Sequence, residues 1–164
     1  MTDPKTLAQI YALRVTAWRG KVEVSDDTTQ WIDDVDPVSK HWAILCGDRV
    51  VGAARLSLHQ LITDVPDPEG YHGVIDSLPA PIGSMNRCVV HPDFRGRGLS
   101  KLLDQDRIDV ARKLGCKSLV VCATDKKRAA ALIAEGFEFR GEGPGIPYGI
   151  GSDIPMLVFT RDLT

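Results

Sequence analysis

The sequence predicts an α/β (α+β) fold, a mixed, mostly antiparallel twisted sheet of six to seven strands with helices on both faces. Three observations carry this. Two apolar runs, His41–Cys46 and Val50–Leu58, flank Gly47-Asp48, which signals an antiparallel hairpin. After residue 82, strand-like and helix-like runs alternate, which implies parallel neighbours. Between two of those runs lies Arg95-Gly96-Arg97-Gly98, a loop that leads from a strand into a helix. A chain of 164 residues fits one domain, taken as residues 1–164, with a proper core.

The elements follow in order. Thr6 to Trp18 predicts a helix with Leu7, Ile10, Tyr11 and Trp18 on one face. Pro4 and Thr6 suit its start and Gly20 its end. Arg14 falls on the apolar face, so it is either at the stripe's edge or paired. Thr28 to Val35 predicts a short second helix closed by Asp36-Pro37. After the hairpin, Gln60 to Pro81 is a long irregular segment, and loops of that length in a compact domain are usually functional or mobile. Ile82–Val90 is the next strand. A helix over about 98–114 puts Leu99, Leu102, Leu103, Val110 and Leu114 within one face, with Asp106 on the same stripe and Ile108 opposite. Ser118–Ala123 predicts a strand buried on both faces. A helix then spans Asp125 to Glu135 and stops at Gly136. Phe137–Arg140 and Met156–Arg161 are the final strands, separated by the Gly/Pro-rich stretch 141–155.

With 43% apolar and 26% charged residues, the composition is that of a soluble globular protein. No run of 18 uncharged apolar residues exists to span a membrane, and the N-terminus lacks the pattern of a signal peptide. Cys46, Cys88, Cys116 and Cys122 form no Cys-x-x-Cys pair, so they are expected to be reduced thiols in a cytoplasmic protein, with no metal site. Charge is segregated. Residues 23–76 hold eleven acids against three bases, whereas residues 95–128 hold ten Lys/Arg against four Asp. A basic half suits a polyphosphate and an acidic half a cationic acceptor, unless both are only solvated faces. A net charge of −2 disfavours nucleic acid as a partner.

Residues 89–100 carry the chemistry. Glycines let main-chain amides approach an anion, a helix N-terminus is partly positive, and arginines add forked donors. The Rossmann fingerprint is excluded because Lys101 stands where a third glycine is needed, and the Walker Gly-Lys-Ser/Thr is absent. The spacing Arg95-x-x-Gly98-x-Ser100 closely resembles the coenzyme A signature (Arg/Gln-x-x-Gly-x-Gly/Ala) of the GNAT superfamily of N-acetyltransferases. The resemblance runs from about Leu7 to Asp162 and is strongest over 82–140.

It implies the GNAT acyl-CoA fold, with acetyl-CoA as co-substrate and no metal. The strand before the cradle would splay from its neighbour so that Cys88, Val89 and Val90 pair with pantetheine. An amide near Val89 or Val90 would polarise the thioester carbonyl. The cradle of Arg95, Gly96, Arg97, Gly98, Leu99 and Ser100 would take the pyrophosphate, with Lys101 reaching a phosphate oxygen. Asp125 stands where the family usually has Asn, and Arg128 is a candidate contact to the adenosine phosphates. The family's usual Tyr, four residues before Gly136-Phe137, is replaced by Leu132, and the usual first strand is missing or very short.

Tyr148 could supply the missing acid. No carboxylate stands on the splayed strand, so the base is sought in Asn86 or Ser84 acting through water, in His72 or Asp76 of the long loop, or in His41 or His59. Tyr11-x-x-Arg14 with Asn86-Arg87 also resembles the acyl-homoserine-lactone and N-acyl-amino-acid synthase branch, which uses longer acyl chains and sometimes acyl carrier protein. The expected activity is acetyl transfer to the primary amine of a small molecule by direct attack. The alternatives are a non-catalytic CoA-binding sensor or interaction module, or a long-chain N-acyltransferase. A homodimer is compatible with the sequence.

Overall fold

Asp3 starts the first helix: its carboxylate accepts from the Thr6 amide at 3.0 Å, and Pro4 follows where no amide is needed. That helix, α1, spans Pro4–Trp18. The computed structural model describes residues 2–22, 24–146 and 154–164. Within them lie β1 (Lys40–Cys46), β2 (Arg49–His59), β3 (Ile82–Val90), α2 (Leu99–Lys113), β4 (Ser118–Ala123), α3 (Lys126–Ala134), β5 (Glu138–Ile146) and β6 (Ile154–Asp162). The six strands form one sheet in the order β1-β2-β3-β4-β6-β5, and only β3–β4 is parallel. The expected mixed, mostly antiparallel sheet is thus observed, and no described helix is long and apolar enough to cross a membrane.

Helices cover both faces because alternate residues of each strand are apolar on each side. On one face Ile10, Leu13 and Ala17 of α1 pack on Val50, Ala53 and Val89. The segment 60–81 covers the rest of that face, laying Ile62, Val65, Tyr71 and Ile75 over Ile82, Val120 and Val158. On the other face Ile108 and Ala111 of α2 and Leu132 of α3 pack on Leu56, Met85, Leu119 and Phe159.

Two expectations are corrected here. No helix spans Thr28–Val35; the chain makes turns and then a single 3₁₀ turn at Asp36–Val38. Its polar groups bond outward: the Trp31 amide donates to the Tyr11 carbonyl at 3.1 Å, and the Asp33 amide to Asp36 Oδ2 at 2.7 Å. Tertiary partners outcompete the helical ones. On α2 the buried stripe is Leu103, Asp104, Arg107, Ile108 and Ala111, whereas Leu102 is 58% exposed and Ile108 faces the core. The stripe is rotated because Asp104 and Arg107 neutralise each other and can be buried together, with Arg107 Nη2 donating to Asp104 Oδ1 at 2.6 Å.

Gly143 on β5 marks a close approach. A Cβ there would lie 1.8 Å from the Gly70 carbonyl oxygen, so this glycine seats the 3₁₀ turn Pro68–Tyr71 against the sheet. Gly143→Ala should destabilise the fold by about 1–3 kcal/mol through forced backbone displacement, measured by chemical denaturation. An unchanged midpoint would refute that contact.

Candidate active site

β3 and β4 pair only from Ile82, Gly83 and Ser84 to Ser118, Leu119 and Val120, and then part. The cause lies on the other edge of β3. Between its pairs with Ala53 and Arg55 of β2, β3 advances from Val89 to Asn86, one residue more than β2 does. The extra residue is a bulge at Arg87–Cys88, and Arg87 sits at φ 51°, in the left-handed region. Bulges bend a strand and increase its twist, and they recur beside active sites. The opening is a cavity of about 790 Å³ walled by Met85–Val90 on one side and by Val121, Cys122, Thr124 and α3 on the other.

At one end of the cavity the chain turns through Gly96 and Gly98, both at φ 76°. Gly98 is the N-cap of α2 and offers no side-chain cap. The Leu102 amide donates to the Gly98 carbonyl at 3.2 Å, so the amides of Leu99, Ser100 and Lys101 precede the first intrahelical bond. A helix N-terminus built this way is an anion site.

Most predicted residues converge on this cavity. Asn86, Cys88, Val89, Val90, Arg95 and Gly96 line it, as do Gly98, Leu99, Ser100, Asp125 and Arg128. Several are committed locally. Arg95 donates to the carbonyls of Val90 at 3.2 Å and Ala17 at 3.3 Å, strapping α1 to the end of β3. Asp125 caps α3, accepting from the Arg128 amide at 2.7 Å. The Arg128 guanidinium grips buried Asp104 with two bonds, of 2.5 and 2.8 Å. Although burial opposes its charge, Asp104 holds Arg128 protonated.

Other predicted residues fall elsewhere. Arg97 is exposed and lies over the Phe94 ring, 5.0 Å from its centroid, and Lys101 is exposed; neither lines the cavity. Both are surface cations, because the loop points their side chains outward while presenting its amides. His72 and Asp76 are exposed and outside the cavity. His41 contacts the Asp36 carbonyl at 2.9 Å in a separate recess beside Tyr11. His59 meets Ser57 Oγ at 2.8 Å, and burial lowers its pKa. Leu132 is a core residue. Tyr148 lies outside the described residues.

Beside the cavity, a charge network joins α1, the 24–39 loop, β2 and β3. Arg14 is indeed paired, 1% exposed, donating to both Asp36 carboxylate oxygens at 2.8 and 3.0 Å. Arg55, fully buried, donates through Nη1 to Asp36 and Asp33, both at 2.8 Å. Arg87 binds Asp33 at 2.6 and 3.0 Å and stacks on Trp31, 5.2 Å from the ring centroid. Burial alone would raise the Asp36 carboxyl, but Arg14, the Asp33 amide and Arg55 hold it well below the usual carboxylate range. Burial likewise opposes Asp33, and Arg87 holds it down. The acid-rich half is therefore partly neutralised internally. Trp31, Asp67 and Arg87 carry this network to the cavity wall.

The sequence reading gives no role to Asp33, Arg55, Asp104 or Arg107, and takes Asp36 only as the close of a helix. An arginine inside the apolar run Val50–Leu58 was the available signal, since such a charge must find a carboxylate.

A parallel strand pair that parts beside an amide-lined helix start defines the acyltransferase class to which this architecture corresponds. The chain belongs to the Acetyltransferase (GNAT) family, whose pattern it matches over residues 7–139. Solved structures agree in fold. An N-acetyltransferase from Staphylococcus aureus Mu50 superposes with a TM-score of 0.73 at 17% identity, covering 99% of this chain and 96% of that one. A Bacillus subtilis acetyltransferase in complex with CoA gives 0.61 at 15% identity, covering 93% and 91%. The AHL synthase LasI gives 0.69 at 20% identity, covering 97% and 84%. No curated protein matches the chain.

Proposed function

We propose that this protein transfers an acetyl group from acetyl-CoA to the primary amine of a small molecule by direct attack. The observation that carries this reading is the shared cavity. The parted edge of β3, the left-handed glycines at 96 and 98 and the start of α2 all open into one volume. A pantetheine arm would add to the edge of β3 as an extra strand, and the amides from Gly96 to Ser100 would take the pyrophosphate. That pose aims the thioester into the gap between Met85 and Cys122. The acceptor would enter beside Trp18, Trp31, Asp67 and Arg87, which also line the cavity. Catalysis then comes mainly from positioning and from polarising the thioester carbonyl. Water held at Asn86 or Ser84 would take the amine's proton. The Bacillus subtilis relative in complex with CoA supports the choice of cofactor.

A second reading is favoured by one observation. Tyr11, Arg14, Asn86 and Arg87, the residues that resemble the acyl-homoserine-lactone branch, meet in one charge network. In that reading the donor carries a longer acyl chain on CoA or acyl carrier protein, as the likeness to LasI also suggests.

Acetyl-CoA titrated calorimetrically should bind, and free thiol should appear with at least one of a panel of polyamines, amino acids and aminoglycosides. Binding without turnover on any acceptor or donor favours a CoA-binding module. Turnover only with donors of eight or more carbons, each buried methylene adding about 0.8 kcal/mol, favours the long-chain reading.

A further inference from the structure

The bulge that opens the cleft is held by a side chain from a covering helix. In a regular antiparallel ladder, carbonyls point within the sheet at the neighbouring strand. A bulge breaks that ladder and turns the strand. Arg55 and Asn86 form the pair directly beside the bulge, and Arg107 Nη1 donates to both of their carbonyls, at 3.0 and 3.3 Å. Arg107 reaches them from α2, the helix that begins at the cradle, and its side chain is fully buried. Its Nε donates to the Leu103 carbonyl at 3.2 Å and its Nη2 to Asp104 Oδ1 at 2.6 Å, which fixes the plane of the guanidinium. Asp104 carries the tie onward, because it also accepts twice from Arg128, in the first turn of α3 on the opposite wall of the cavity. An unbroken run of hydrogen bonds thus joins the bulged edge of β3 to α3.

We propose that Arg107 is a positioning residue for acyl transfer, setting the gap into which the pantetheine arm adds, an assignment that rests on the acyl-transfer reading above. Charge balance does not account for Arg107. Asp104 and Arg128 already neutralise each other, and burying a second guanidinium is costly. What Arg107 adds is the pair of bonds to the bulge. Only a forked, planar donor set can hold two carbonyls and a carboxylate at once. Arg107 does not line the cavity, so it acts through the main chain. With the Asn86 carbonyl fixed, the edge of Cys88, Val89 and Val90 that follows stands at a set distance from α3. Released, β3 would fall back toward a regular ladder and carry that edge away from the thioester. A misplacement of about 1 Å at a reacting centre costs about 100-fold in rate.

The test compares the full chain with Arg107→Met, which leaves Asp104 paired with Arg128 and strands no charge. Two ligands are titrated, acetyl-CoA and ADP, which keeps the diphosphate but lacks the pantetheine arm. The Kd for acetyl-CoA should rise about tenfold while that for ADP stays within about threefold, and kcat at saturating acetyl-CoA should fall about 100-fold. Arg107→Lys keeps the charge on Asp104, but its single head cannot also hold both carbonyls, so it should show the same split at smaller size. Parental values in Arg107→Met overturn the assignment. An equal change with both ligands in the two variants, including loss of both, marks a residue needed only for folding and overturns it too. A parent that binds acetyl-CoA no better than ADP overturns the pose on β3, and the assignment with it. A parent that binds acetyl-CoA but acylates no amine overturns the acyl-transfer reading, and the split in Kd then decides on Arg107 alone.

Discussion

Asp36→Ala should lower the unfolding free energy by about 3–5 kcal/mol, because it strips the carboxylate from two buried guanidiniums at once. Asp36 accepts from Arg14 twice, from Arg55 and from the Asp33 amide. The Arg14 and Arg55 side chains are 1% and 0% exposed, so water cannot replace what is lost. Asp33 can answer only part of the charge, since it also holds Arg87. Urea denaturation of parent and variant measures the difference, and a loss below about 1 kcal/mol, the value of a surface pair, would contradict the network. The same carboxyls set acid stability. Both are held below their usual 3.8 in the folded chain. The stability they contribute is complete above that pH and is lost as pH falls through their folded values. The parent should therefore weaken below about pH 4. Asp36→Ala removes the larger part of this dependence, which a pH series of denaturation midpoints would show.

Gly98→Val should weaken acetyl-CoA binding at least tenfold, equivalent to about 1.4 kcal/mol. At φ 76° an L-residue carries about 1–2 kcal/mol of strain, and a β-branched one tends to pull out of that region. A Cβ at Gly98 meets no atom within 4 Å, so the free protein accommodates the side chain without a clash. The loss comes from the turned amides and from a side chain standing over the start of α2. Gly115 supplies the control. It follows the other end of the same helix at φ 79°, also with nothing within 4 Å, and it does not line the cavity. Gly115→Val should cost similar stability and leave acetyl-CoA affinity as in the parent. Equal dissociation constants for the two variants would remove the amide cradle from the binding site.

Local signals foretold the elements whose partners are local. The hairpin around Gly47-Asp48, the strands Ile82–Val90 and Ser118–Ala123, and helices beginning close to residues 98 and 125 all match the sequence reading. The supposed helix over Thr28–Val35 failed because its carboxylates and amides bond to distant groups. The face of α2 was misread for a related reason: hydrophobic periodicity treats Asp104 and Arg107 as solvent-facing, yet as a pair they are buried. In the cradle, the amides face the cavity while Arg97 and Lys101 point away, a distinction that residue type alone does not make.

Of this protein, the sequence by itself determined the family, the strand and helix order after residue 40, and the glycine-bearing loop where a polyphosphate would sit. These follow from periodicity and turn chemistry, which act over a few residues. Only the tertiary structure decided that Arg14, Asp33, Asp36, Arg55 and Arg87 form one network, and that Arg107 reaches the carbonyls beside the β3 bulge. Burial of charge and alignment of hydrogen bonds depend on residues separated by tens of positions, brought together when β3 bulges and parts from β4.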